Sequence, residues 1–209
     1  MEGRDDAFPP LRVLALHGAG SGPWIFDDWA LPGHDLEALD LQAGLNVAAA
    51  SMLNYEAVAT RGCDALERPF TLLGWSMGGL VAMMAARRAA PDALVLLEPS
   101  PAGESAAFDE SVVPHEGTYD PEEAYGDFPP GVRSRPESAY ARAERRRGVS
   151  VPLLPTRTLV VYGDEFPEER GLGVVRCYAA DGLHVPGLDH WGLVREPRVR
   201  AVVAEWLSQ

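Results

Sequence analysis

Short apolar runs separated by longer stretches of helical periodicity organise this chain. The runs Leu11–Leu16, Leu36–Leu39, Phe70–Leu73, Ala93–Leu97, Thr158–Tyr162 and Leu183–Val185 read as strands. Their largely continuous apolar character is that of strands covered on both faces. Helical patterns lie between them at about Val47–Leu66, Met77–Ala90, Pro167–Ala179 and Glu196–Leu207. Asn54 marks a possible restart in the first of these as a cap, and Pro91-Asp92 closes the second. Alternation of this kind predicts an α/β fold, a mainly parallel sheet of about six strands flanked by helices.

One region breaks the alternation. Residues 101–155 are rich in Pro, Gly and charge, with Pro114, Pro121, Pro129, Pro130, Pro136 and Pro152. A loop this long inside a compact domain is normally functional. It is expected to pass over the sheet's active edge, partly helical near Glu137–Arg147.

At 209 residues the chain suffices for one sizeable core, so residues 1–209 are expected to form a single domain. The first ten residues carry Glu2, Asp5 and Asp6 and no long apolar stretch, which argues against a secretory leader. No apolar run approaches bilayer length. Cys63 and Cys177 have neither disulfide-framework nor metal-ligand spacing, so no metal site is expected and a reduced cytoplasmic location is the default. The net charge of −13 argues against nucleic acid or an anionic membrane as partner. The one basic cluster, Arg142 with Arg145, Arg146 and Arg147, reads as a solvated helix end.

The chemistry concentrates at Phe70–Gly79, where an apolar run ends in Gly74-Trp75-Ser76-Met77-Gly78 and a helical stretch rich in Ala and Met begins. Strand, sharp turn and helix are what a nucleophile elbow needs to lift a serine hydroxyl above the sheet edge. A serine needs a base, and five histidines are available. His184 sits in an apolar strand as a packed residue, His115 falls in the irregular segment, and His34 reads as a loop residue. His17 ends the first strand. His190 lies just past the last strand, at the edge where Ser76 is expected. The N–H of Met77, at the start of the helix, is one donor for an oxyanion.

Leu14-Ala15-Leu16-His17-Gly18-Ala19-Gly20, the Gly74–Gly78 elbow and Leu188-Asp189-His190-Trp191-Gly192 together resemble the α/β-hydrolase superfamily, from about Leu11 to Leu207. The two usual leading strands are absent, and the resemblance implies that residues 101–155 are a cap insertion, short by family standards. The resemblance implies that His17 shapes the oxyanion loop, that Ala19 supplies the second N–H, and that His190 is the base. For the acid the chain departs from its family. The aspartate expected three residues beyond Gly163 is replaced by Phe166. Asp164, with Glu165 beside it, competes with Glu98 at the end of the Leu94–Leu97 strand, and Asp164 is slightly preferred. Asp189 is expected to point away from the ring.

These residues predict a serine hydrolase acting on a small-molecule ester, thioester or lactone, with no metal or organic cofactor implied. A serine at this position argues against epoxide hydrolase or dehalogenase chemistry. The alternatives are a cofactor-free lyase or C–C bond hydrolase on the same triad, and a ligand-binding protein that keeps the serine without a working acid. Trp24, Trp75 and Trp191 are the expected substrate contacts, with Phe26, Met77, Tyr119, Tyr125 and Phe128 as further pocket walls, favouring an apolar group.

Overall fold

The computed structural model describes residues 11–209; the acidic opening stretch, residues 1–10, lies outside the described residues. Six strands, β1 (Leu11–Leu16), β2 (His34–Leu39), β3 (Phe70–Trp75), β4 (Ala93–Leu97), β7 (Arg157–Tyr162) and β8 (Asp181–His184), form one sheet in the order β2-β1-β3-β4-β7-β8. Every pairing in it is parallel. The remaining pair, β5 (Thr118–Tyr119) and β6 (Glu137–Ser138), is an antiparallel ribbon within the irregular segment.

Side chains alternate across a strand, and here both faces are covered. Leu14, Leu16, Leu72, Leu94 and Leu96 meet α1 (Met52–Asp64) and α2 (Met77–Ala89) on one face. On the other, Val13, Leu73, Val95 and Val161 meet Trp29 and the Val199 and Val203 side chains of α7 (Pro197–Leu207). Burying each such leucine contributes about 1.5–3 kcal/mol. That double coverage is why the strands read as nearly continuous apolar runs.

Element boundaries shift where local capping overrides periodicity. The pattern at 47–66 divides into a short turn, Val47–Ala49, and α1. The cap is Ser51, not Asn54. Ser51 Oγ accepts the Asn54 N–H and the Asn54 side chain accepts the Ser51 N–H, a reciprocal capping box. The second strand begins at His34 rather than Leu36, and the last lies at Asp181–His184 rather than Leu183–Val185. Between β7 and β8 the chain makes a wide π-helical turn, Pro167–Leu172, before α5 (Gly173–Tyr178).

Residues 101–155 carry the ribbon, α3 (Pro121–Tyr125) and α4 (Ala139–Arg147). Ser138 caps α4 through the Ala141 N–H and donates its hydroxyl to the Ala50 carbonyl at 2.6 Å. Glu144 accepts the Met52 N–H at 2.6 Å, fastening α4 to the start of α1. The carboxyl ends of the parallel strands share one edge, and this segment lies against it.

Candidate active site

Ser76 stands between β3 and α2 with φ 54 and ψ −120, a conformation that only a tightly determined turn imposes on a residue with a side chain. Two glycines permit it. A Cβ on Gly78 would lie 2.1 Å from the Leu16 carbonyl oxygen, and one on Gly74 would lie 2.4 Å from the Gly78 carbonyl oxygen. The turn is bolted to β4: Ser76 donates its N–H to Leu97 O at 3.1 Å, and its carbonyl accepts the Ser100 N–H at 2.8 Å.

His190 follows β8 and reaches back over the sheet edge. Its ring stacks on Trp75, centroids 5.0 Å apart at 29°, and meets Phe166 edge-on at 5.8 Å. The Trp75 indole donates to the His190 carbonyl at 3.1 Å, and the His190 N–H goes to Glu165 at 2.8 Å. The carboxyl group on His190 Nδ1 belongs to Glu98, 2.6 Å away and fully buried. Glu98 has φ 42, which turns its side chain from the end of β4 towards the histidine, and its other oxygen accepts the Gly163 N–H at 3.1 Å. Burial pulls the His190 pKa below its ordinary value; the Glu98 hydrogen bond opposes this and the Arg170 charge adds to it.

The first-choice acid, Asp164, is elsewhere. Its side chain is exposed, its Oδ1 lies 2.7 Å from His184 Nε2, and its Oδ2 accepts the Gly187 N–H at 2.7 Å. These contacts hold it outward. His184, expected to be packed, is correspondingly an exposed partner of Asp164, stacked on Tyr162. Asp189 turns away from the ring as expected and accepts the Gly192 N–H.

On the other side of Ser76 the loop after β1 is rigidly built. His17 Nε2 faces the Leu41 N–H at 3.1 Å and the Arg135 guanidinium at 2.9 Å, so that nitrogen is the acceptor and Nδ1 donates to Gly18 O. Gly20, at φ +72, leaves no room for a Cβ beside Pro121 and gives its N–H to buried Glu137 at 3.1 Å. Among the described residues, neither the Met77 nor the Ala19 N–H has a hydrogen-bond acceptor. Both residues flank Ser76's position, Met77 as its chain neighbour and Ala19 on the cavity wall.

Ser76 and His190 open on a cavity of about 340 Å³. Trp75, Trp191, Tyr125 and Phe128 line it. Trp24 does not. Its indole donates to Arg133 O and its ring lies beneath Arg133 and Arg135, at 4.5 and 5.1 Å, bordering a separate groove beyond Trp191. Phe26 is core, packed on Trp29. The basic cluster is a solvated helix end only in part: Arg146 and Arg147 are exposed in the last turn of α4, but Arg142, Arg145 and Arg146 line the Ser76 cavity, and Arg145 is buried. Arg170 joins them, its Nη1 3.4 Å from His190 Nε2, the nitrogen to which Ser76 makes no hydrogen bond in this structure. A tell for Arg145 is its spacing: Ala141 and Arg145 are one turn apart and share the buried face of α4.

No protein-family model matches the chain. A pimeloyl-[acyl-carrier protein] methyl ester esterase of Neisseria meningitidis is 35% identical over 80 residues, which are 37% of this chain and only 26% of that protein's length. Solved structures match over nearly all of it. Polyneuridine aldehyde esterase superposes with a TM-score of 0.66 at 17% identity, covering 96% of this chain and 100% of its own. A methylesterase from Arabidopsis gives 0.68 at 14%, covering 95% and 99%. The thioesterase domain from the curacin biosynthetic pathway gives 0.61 at 21%, covering 95% and 91%. The chain has the α/β-hydrolase fold. Among the described residues, no helix is long and apolar enough to cross a membrane.

Proposed function

We propose that this protein is a serine hydrolase that cleaves a carboxylic ester, thioester or lactone through an acyl-enzyme on Ser76. The observation that carries the reading is the Glu98–His190 pair, 2.6 Å apart and clamped on Trp75, beside a serine in a conformation that folding alone does not favour. The printed activities of the similar proteins, esterases and a thioesterase, point to the same reaction class.

In the proposed sequence, Ser76 Oγ attacks the substrate carbonyl carbon as its proton passes to His190 Nε2. The Met77 and Ala19 N–H groups receive the developing oxyanion. Nε2–H then protonates the leaving alcohol or thiol as the bond to it breaks. Water repeats the exchange on the acyl-enzyme, giving up a proton to Nε2 and releasing the acid and free Ser76. Glu98 holds Nδ1–H throughout and stabilises the imidazolium without taking its proton. Arg170 must leave Nε2 before Ser76 engages it. Residues 101–155 act as a cap, supplying Phe108, Tyr125 and Phe128 to the cavity wall.

The Arg170 contact at Nε2 favours a second reading, a ligand-binding protein with an idle serine. Labelling decides between them. A fluorophosphonate should form an adduct located at Ser76 by mass spectrometry, and p-nitrophenyl esters or acyl-thioesters should turn over. An unlabelled Ser76 together with no turnover across graded chain lengths would refute the hydrolase.

A further inference from the structure

Arg145 is a cation in the interior without an ion-pair partner. It is 9% exposed, and its guanidinium reaches only the Tyr119 and Tyr125 hydroxyls, at 3.4 and 3.3 Å, and the Met52 sulfur at 3.9 Å. Among the described residues no carboxyl group forms a salt bridge with it. The buried acid on the neighbouring ribbon, Glu137, is already engaged by the Tyr55 hydroxyl and by the N–H groups of Gly20 and Ser138. Burial works against its charge, and Tyr125, Tyr119 and Glu137 favour it; its fork is still without the paired carboxylate oxygens that match it.

Further cations converge on the same space. Arg142, on the same helix, lies over the Tyr119 and Tyr125 rings at 4.9 and 5.5 Å. Arg170 enters from the opposite wall, 4.4 Å over Phe166. All three line the cavity that holds Ser76. Burial lowers the Arg170 pKa, Glu98 opposes the shift and the Arg145 charge adds to it, so the two guanidiniums repel. The acids at the cavity do not neutralise them: Glu165 is turned to the His190 N–H, and Glu98 is held by His190 and Gly163. A chain of net charge −13 thus brings four cations, Arg146 beside these three, to one cavity.

The geometry points to an anion subsite, formed by Arg145 and Arg142 with Arg170 facing them, that binds a free carboxylate on the substrate itself. The inference rests on the hydrolase reading of Ser76 and narrows its substrates to esters or thioesters whose acyl chain ends in a carboxylate. The reacting carbonyl lies over Ser76, the hydrocarbon against Phe128 and Trp191, and the carboxylate on the guanidinium forks, which match it with paired N–H donors. An apolar acyl chain, the sequence-based expectation, satisfies the walls but leaves Arg145 unpaired.

The test compares kcat/KM for mono-p-nitrophenyl adipate and p-nitrophenyl hexanoate, equal in acyl length and different in the terminal carboxylate, together with the suberate and octanoate pair. The wild-type protein should prefer the hemiester by roughly ten- to a hundred-fold, mostly through KM. In Arg145→Met and Arg142→Gln the preference should fall towards one, with part of it restored in Arg145→Lys. If Arg145→Met does not fold, Arg142→Gln decides. Equal kcat/KM in the wild type, or an unchanged preference in the folded variants, overturns the subsite. Tryptophan fluorescence of Ser76→Ala, titrated with monomethyl adipate and methyl hexanoate, separates the two ideas. Selective binding of the hemiester with no wild-type turnover of any ester keeps the subsite and refutes the hydrolase. Turnover without preference does the reverse.

Discussion

Replacing Glu98 by glutamine tests the site at the point where the structure parts from the sequence. The carboxyl group has two jobs: Oε2 meets His190 Nδ1 at 2.6 Å, and Oε1 accepts the Gly163 N–H at 3.1 Å. A glutamine has one oxygen for two donors. If that oxygen stays on Gly163, the amide NH₂ faces Nδ1 and drives the imidazole to the tautomer protonated at Nε2, which cannot take the Ser76 proton. If it stays on Nδ1, the NH₂ confronts the Gly163 N–H in a site closed to water, which costs about 1–3 kcal/mol in stability. Loss of the orienting acid lowers turnover by up to about 10⁴-fold, or about 5.4 kcal/mol in the barrier. Asp164→Asn alters an exposed pair with His184 and the Gly187 contact, neither of them at the His190 ring, and should stay within about tenfold of wild type. The assay is steady-state hydrolysis of a p-nitrophenyl ester on both variants, with thermal melts to confirm folding. A folded Glu98→Gln protein retaining a tenth of wild-type kcat, or an Asp164→Asn protein that collapses, refutes the assignment.

Other expectations follow from the same geometry. Ser76→Gly should abolish turnover yet raise the melting temperature, because the φ 54 conformation costs a serine about 1–3 kcal/mol that glycine does not incur; an unchanged or lower melting point would count against stored strain. Gly78→Ala should fail to give soluble folded protein, since its Cβ would meet the Leu16 carbonyl oxygen at 2.1 Å, and a well-folded, active variant would contradict the elbow geometry. His190 works as a base only when neutral, and burial lowers its pKa, so the acid limb of kcat/KM should fall below the ordinary histidine value of 6.5. Removing the nearby cation in Arg170→Gln favours the imidazolium and should move that limb to higher pH; a shift downwards would show that Arg170 does not act on His190 by charge.

The parallel sheet and the elbow were legible because both are written locally. Apolar runs report double burial, and Gly74 and Gly78 report a steric demand between adjacent elements. The carboxylate that meets His190 was not legible, because four, Glu98, Asp164, Glu165 and Asp189, lie near the edge in sequence and only the backbone path selects among them. Glu98 is swung inward by its positive φ, while the Gly187 N–H holds Asp164 outward. Arg145 was misjudged for a related reason. A run of arginines is solvated by default, and its burial arises from contacts with Tyr119, Tyr125 and Met52 that are remote in sequence. Trp24 followed the same logic in reverse, a large aromatic near the loop after β1 that Arg133 and Arg135 cover.

With its carboxyl partner drawn from β4, His190 leaves the β7 turn with no acid to hold. Ser76 and Glu98 follow neighbouring strands, tied by the Ser76–Leu97 and Ser76–Ser100 bonds, so their spacing is set by the sheet itself. The turn is left with Phe166 and Arg170, side chains that shape the cavity, and with Glu165, which holds the His190 N–H. On the proposed reading, changes at Phe166 and Arg170 would therefore edit what the cavity accepts while Glu98 and Ser76 stay anchored in the sheet, a separation that makes these two positions the natural place to retrain the protein for new substrates.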